Sequence, residues 1–126
     1  MRNHVLAEEL LLLHRINEKI IRCTLCPRLI KHIREIGNTK TKKHMDQTYW
    51  AKPVPTFGDP RAKLLVIGLS PAANGGNRTG RIFTRDSSGV WLARALFETE
   101  LANKPTSISK EDGLILKDAY LTAAAR

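Results

Sequence analysis

A short, unbroken apolar run closed by glycine, Lys63-Leu64-Leu65-Val66-Ile67-Gly68, constrains this chain most. A run of that length bounded by turn residues reads as a strand buried on both faces of a parallel sheet. Ser70 to Arg81 follows as a loop carrying Gly75, Gly76 and Gly80. Ser88 is placed to cap a helix with Trp91, Leu92, Ala95 and Leu96 on one side. Lys104 to Ser109 is a connection, and Ala119 to Ala125 reads as a second buried strand. Strand, glycine loop, helix and strand make an α/β unit with a right-handed crossover. Binding sites in such folds lie at the carboxyl ends of the strands, which here means Gly68 onward.

The first half reads as helical. Leu6, Leu10, Leu13 and Ile20, with Ile16 alongside, follow the three-to-four spacing of a buried stripe. A second helix is expected after Pro27, with Leu29, Ile33 and Ile36 inside, Arg28, Lys31 and Arg34 in water, and Gly37 as its stop. Asn38 to Lys43 is polar and aperiodic. Trp50 to Pro60, with Pro53, Pro55, Gly58 and Pro60, is expected to be an ordered loop or extended arm. The 126 residues, 42% of them hydrophobic, suit one domain. Two parallel strands are too few to bury these helices, so the chain reads as a fragment of a larger domain.

Charge narrows the partners. The net charge is +9, and it is uneven. Arg28 to Pro55 holds seven basic and two acidic residues, Arg61 to Arg94 six and one, and Ala95 onward four and five. A positive potential gathered in the first three quarters suits a polyanion such as DNA or RNA. The longest apolar run, Leu10 to Leu13, is far below the roughly 18 residues of a membrane span. Met1-Arg2-Asn3-His4 leads into Glu8-Glu9, not into an apolar leader. The expected setting is the cytoplasm, without a membrane, and the expected unit is a monomer.

Cys23 and Cys26, spaced C-x-x-C, are the two cysteines. In a cytosolic chain they read as half a metal site or as a redox pair. The glycine loop fits neither G-x-x-x-x-G-K-[ST] nor G-x-G-x-x-G, so it is not a standard nucleotide cradle. It does offer Asn amides that donate and accept together, a Phe ring and the cations of Arg78 and Arg81. Those suit a pyrimidine edge, a base face and phosphates. A tight turn with solvated arginines and a core Phe is the plain alternative. Asp59 and Asp86 read as turn or cap residues, and Trp50 and Trp91 as packing residues.

Four stretches taken together carry a resemblance. They are C-x-x-C-P-R-L at Cys23 to Leu29, W-x-K-P-V-P-x-F-G-D-P at Trp50 to Pro60, G-L-S-P-A-A-N-G-G-N-R-T-G-R-I-F-T at Gly68 to Thr84, and D-A-Y-L-T-A-A-A-R at Asp118 to Arg126. In this combination the chain resembles the family 5 (UDGb-type) uracil-DNA glycosylases. The resemblance implies a three-layer α/β/α sandwich around a small parallel sheet, and hydrolysis of the bond between uracil and deoxyribose in DNA. It also implies a structural 4Fe–4S cluster on four cysteines, Cys23 and Cys26 being the first two. The other two, and a later histidine-bearing motif, fall after the position of Arg126, so residues 1–126 read as a domain truncated before its C-terminal strands.

The resemblance assigns roles by position. Gly68, Leu69, Ser70, Pro71, Ala72 and Ala73 form the floor of the uracil pocket, and Asn74 adjoins it. Phe83 stacks on the flipped base, Arg78 and Arg81 contact DNA, and Asn77 orients the attacking water. Ser70 stands where the family usually has Ala, Asn74 where it has His, and Arg85 where it has Gly. A chain ending at Arg126 is expected to hold little or no cluster, to pack loosely and to excise no uracil. An inactive nucleic-acid-binding remnant is therefore the alternative to an enzyme.

Overall fold

A computed structural model describes residues 2–126, with side-chain surroundings from residue 4. Met1, the first residue of the segment read as carrying no secretory signal, lies outside them. The element order is α1 (Arg2–Ile21), α2 (Pro27–Thr39), one 3-10 turn (Lys42–His44), β1 (Phe57–Gly58), β2 (Leu64–Gly68), α3 (Gly76–Thr79), α4 (Ser87–Glu98) and β3 (Ala119–Ala123). The fold is α/β, with one small sheet in the order β1-β3-β2. β2 and β3 are parallel, with Leu64 opposite Ala119 and Gly68 opposite Ala123. Between them the chain crosses over through α4.

The sheet is mixed, not purely parallel. Phe57 and Gly58 pair antiparallel with Leu121 and Tyr120, so the proline-rich arm contributes a strand that its composition hid. β3 is therefore central and β2 lies at an edge. One face of β3 (Ala119, Leu121, Ala123) joins Val54, Ile82, Leu96, Leu114 and Leu116 in the core. The opposite face of β2 is open, with Leu65 54% and Ile67 64% exposed. The expectation of burial on both faces fails, because the described residues place no layer over that side.

Three helix expectations also change. α1 buries none of its described side chains, and Leu6 and Ile16 of the supposed stripe are exposed. α2 buries Ile30 and Ile33, and it runs through Gly37 to Thr39. A side chain at Gly37 would stand 2.7 Å from the Ala51 Cβ, so this glycine serves close approach and not termination. α4 is capped by Asp86, which accepts from the Gly89 N–H, and not by Ser88. It buries Gly89, Ala93 and Leu96. Trp91 is 74% exposed and does not pack. No described helix is long and apolar enough to cross a membrane.

Candidate active site

The loop after β2 is fixed mainly by its own backbone. Ala124 and Ala125 donate to the carbonyls of Gly68 and Leu69 at 2.9 and 3.0 Å, which extends the parallel pairing into the loop. The Ala72 carbonyl accepts from the N–H groups of Gly75 (3.2 Å) and Asn77 (3.0 Å), closing a tight turn into α3. Gly80 ends α3 with φ 78°, a conformation glycine takes without steric cost. The arm clamps the turn from outside, since Trp50 and Ala51 donate to the carbonyls of Arg78 and Asn77, each at 3.0 Å.

A pocket of about 120 Å³ opens at the carboxyl ends of β2 and β3. That is near the roughly 150 Å³ of an engineered cavity that accepts benzene, so it suits one planar ring. Ser70, Pro71, Ala73 and Asn77 line it from the loop, and Leu29, Ile33 and Val54 supply apolar wall. Asn77 is 4% exposed. Its Nδ2 donates to the Ile33 carbonyl at 3.1 Å, which fixes the amide. Its Oδ1 is buried and has no partner. Leaving that acceptor unmet costs about 1–3 kcal/mol, and with under 1 Å² of accessible surface it is enclosed by the protein and not open to the pocket.

The remaining lining is basic. His32, Lys52 and Arg126 border the pocket, and no Asp or Glu side chain does. The Arg126 Nε donates to the Ala123 carbonyl at 3.0 Å, and the guanidinium also bonds Thr122 Oγ1 and the Val54 carbonyl. All three acceptors are neutral. Burial lowers the Arg126 pKa from its ordinary value, with Tyr120 opposing the shift, yet a guanidinium keeps its proton. These three residues were not among the candidates read from sequence. They come from α2, the arm and the end of β3, and no linear motif joins them.

Other predicted residues lie elsewhere. Leu69 points outward, 83% exposed. The Phe83 ring packs against the core and lies over Gly68, where an added Cβ would stand 2.7 Å from Cζ. It does not line the pocket. Phe83 and Arg85 both have left-handed backbone, φ 51° and 60°, which is strained for residues with a side chain. Asn74 Oδ1 accepts from the Tyr49 hydroxyl at 2.6 Å, and its carbonyl accepts from Arg78 Nε at 2.7 Å.

Arg81 departs most from expectation. It is 4% exposed, paired with Asp112 through NH1 and NH2 at 3.0 and 2.8 Å. Its NH2 also donates to Ser107 Oγ and its Nε to Thr84 Oγ1, and its guanidinium sits 4.7 Å from the Phe57 ring centroid. The guanidinium is occupied inside the protein, so it does not reach phosphate. Burial alone would raise the Asp112 pKa. The Arg81 hydrogen bonds, with the N–H groups of Ile108, Leu114 and Ser109, outweigh it and hold the carboxyl well below its ordinary range.

Cys23 is half-buried and Cys26 is exposed at the start of α2, both as free thiols. Among the described residues, no three His, Cys, Asp or Glu side chains gather around a metal position. Two thiols supply half the donors of a 4Fe–4S cluster, so these residues do not make a cluster site by themselves.

A pocket of ring size, with Lys52 and Arg126 at its border, thus lies beyond the carboxyl ends of two parallel strands. Residues 55–126 match the Uracil DNA glycosylase superfamily, more than half of the chain, and the chain belongs to that superfamily. It is 49% identical over 104 residues to a type-5 uracil-DNA glycosylase of Thermus thermophilus, covering 82% of this chain and 47% of that protein. It is 42% identical over 108 residues to the Pyrobaculum aerophilum type-5 enzyme, covering 86% and 47%. For the Mycobacterium tuberculosis type-5 enzyme the identity is 44% over 111 residues, covering 88% and 41%. The chain thus spans about half the length of the curated relatives it matches.

Proposed function

We propose that this protein is a DNA repair glycosylase that hydrolyses the N-glycosidic bond of uracil, and of other deaminated bases that fit the same pocket. The observation that carries the reading is the ring-sized pocket at the carboxyl ends of β2 and β3, with Ser70, Pro71, Ala73 and Asn77 in its wall and Lys52 and Arg126 at its border. The names of the relatives support it.

Extruding a base from the duplex costs a few kcal/mol, least where its pairing is already damaged. The bond between C1′ and N1 then breaks, and its electron pair leaves with the base. The sugar becomes cationic and the base anionic. Lys52 and Arg126 place positive charge where the anion forms, without needing to transfer a proton, and His32 borders the same space. Asn77, once its amide turns from the Ile33 carbonyl, accepts through Oδ1 from the water that adds at C1′, whose proton passes to solvent. Ser70, Pro71 and Ala73 bound the base, and Phe83 stacks on it only by leaving its packed place over Gly68. The same reading makes the sheet the middle layer of an α/β/α sandwich, with the open face of Leu65 and Ile67 as the surface a further layer covers. It keeps Cys23 and Cys26 as two of four cluster ligands, completed by residues outside 1–126, and routes no reaction step through the cluster. The setting is the cytoplasm and the working unit a monomer.

Single-turnover incubation with a 5′-labelled oligonucleotide carrying one uracil, followed by alkali, tests the reading. Cleavage is expected at uracil and not at thymine, and Asn77→Ala lowers the rate roughly 10²-fold, as loss of a group that positions a proton-bearing water does. Salt-sensitive binding by the unsubstituted chain without cleavage would assign it to the non-catalytic alternative.

A further inference from the structure

Among the described residues that line the base pocket, Lys52 alone carries a primary amine. Its backbone is held on both sides. The Ala51 N–H donates to the Asn77 carbonyl at 3.0 Å, and the Trp50 indole N–H donates to the Pro53 carbonyl at 3.1 Å, beside the buried Val54. Lys52 itself is exposed and forms no ion pair among the described residues. Its Nζ lies 5.4 Å from the Trp50 ring centroid, a ring that Lys110 approaches more closely, at 4.3 Å. Lys52 also borders a wider groove of about 730 Å³, whose lining includes Arg85 and Lys110. The amine thus stands on a fixed stretch of backbone at the rim of the pocket, with no Asp or Glu side chain in the pocket lining to pin it.

A flipped base enters a pocket ring first, and its sugar stays at the mouth. A rim residue therefore faces C1′. Loss of the base leaves a hemiacetal at C1′, which opens to an aldehyde. Lysine is the side chain that condenses with a carbonyl of this kind. The Arg126 guanidinium keeps its proton, and the Ser70 hydroxyl has no nitrogen to form an imine. We propose that Lys52 captures the abasic deoxyribose as an imine, a second activity of the same pocket. The ammonium gives one proton to water and the neutral amine adds to C1′. The resulting carbinolamine loses its oxygen as water, so that a C=N bond replaces the C=O bond. Nothing is oxidised or reduced, and water reverses the step to free both the aldehyde and Lys52. The proposal rests on the glycosylase reading for its substrate, an abasic site in DNA.

The test supplies that site ready-made. The 126-residue chain is mixed with a labelled oligonucleotide that already carries one abasic site, and sodium borohydride reduces any imine to a stable amine link. A covalent protein–DNA band is expected, and peptide mapping should place the link on Lys52. Lys52→Arg keeps the charge and should lower the yield at least about tenfold, because a positioned amine outruns unplaced ones. Lys110→Arg, away from the pocket lining, should keep it, and circular dichroism checks that both variants fold. No band, a link mapped to other amines, or an equal yield from folded Lys52→Arg would overturn the proposal. Uracil excision is measured in parallel. A link at Lys52 in a chain that excises no uracil supports the capture and counts against the glycosylase reading, whereas excision without a link overturns the capture alone.

Discussion

The glycine loop and the N-terminal stretch are held in opposite ways. Residues 68 to 84 are stitched by short-range backbone bonds, by the clamp from Trp50 and Ala51, and by the buried pair of Arg81 with Asp112. α1 is 20 residues long and buries none of its described side chains. The side-chain hydrogen bonds that tie it to the sheet run through Asn17 Oδ1, which accepts from Thr56 N (2.9 Å) and Thr56 Oγ1 (2.7 Å). Thr56 in turn bonds the Tyr120 hydroxyl. The base pocket is thus fixed from within, whereas the side-chain hydrogen bonds between α1 and the rest run through the one residue Asn17. Cys23 and Cys26 stand between the two regimes, because Cys26 opens α2, which buries Ile30 and Ile33 and holds Asn77 through the Ile33 carbonyl.

The largest effect should come from breaking the loop's interior pair. Asp112→Ala leaves the Arg81 charge buried and unpaired, and should cost about 3–5 kcal/mol in urea unfolding. The pair also sets an acid limit. The Asp112 carboxyl is depressed in the folded chain. Its contribution is therefore full above the unfolded value near 4 and is lost as pH falls through the lower folded value. Urea midpoints should drop below about pH 4 in the unsubstituted chain, and this part of the drop should vanish in Asp112→Ala.

A smaller effect is expected where α4 meets the loop. A side chain at Gly89 would stand 2.2 Å from the Phe83 carbonyl oxygen. Gly89→Ala must therefore push the helix start away from the strained segment, at about 1–3 kcal/mol. Near-ultraviolet circular dichroism, together with the urea midpoint, would report both the shift and the cost. The smallest effect belongs to the other region. Asn17→Ala should cost about 1 kcal/mol and raise amide exchange along α1 while residues 70 to 80 exchange as before. Faster exchange in the loop would dissolve the contrast between the regions.

What could be read from sequence follows the same division. β2, β3, α2 and α4 announced themselves through local apolar runs and turn residues, and a binding region from Gly68 onward followed from its place after a strand; of the floor that the resemblance implied, Gly68 to Ala73, the pocket is lined by Ser70, Pro71 and Ala73. Distant partners decided the rest. Arg81 looks like a solvent cation until Asp112, 31 residues on, is folded against it. Gly37 looks like a stop until Ala51 packs on it. Phe57 and Gly58 sit among prolines, and only pairing with β3 makes them a strand. Arg126 and His32 reach the pocket from elements far apart in the chain. Leu65 and Ile67 carry a strand's apolar pattern whether or not anything covers them.

The central claim is that the pocket at Asn77 receives a pyrimidine ring. Titrating free uracil into isotope-labelled chain, with nuclear magnetic resonance following the Asn77 side-chain amide and the backbone of Ser70 to Asn77, tests it most directly. The account predicts saturable shifts at Asn77, Ser70 and His32, smaller or absent with thymine and abolished in Asn77→Ala. Shifts confined to the wide groove around Arg85 and Lys110, or none at all at saturating uracil, would contradict it.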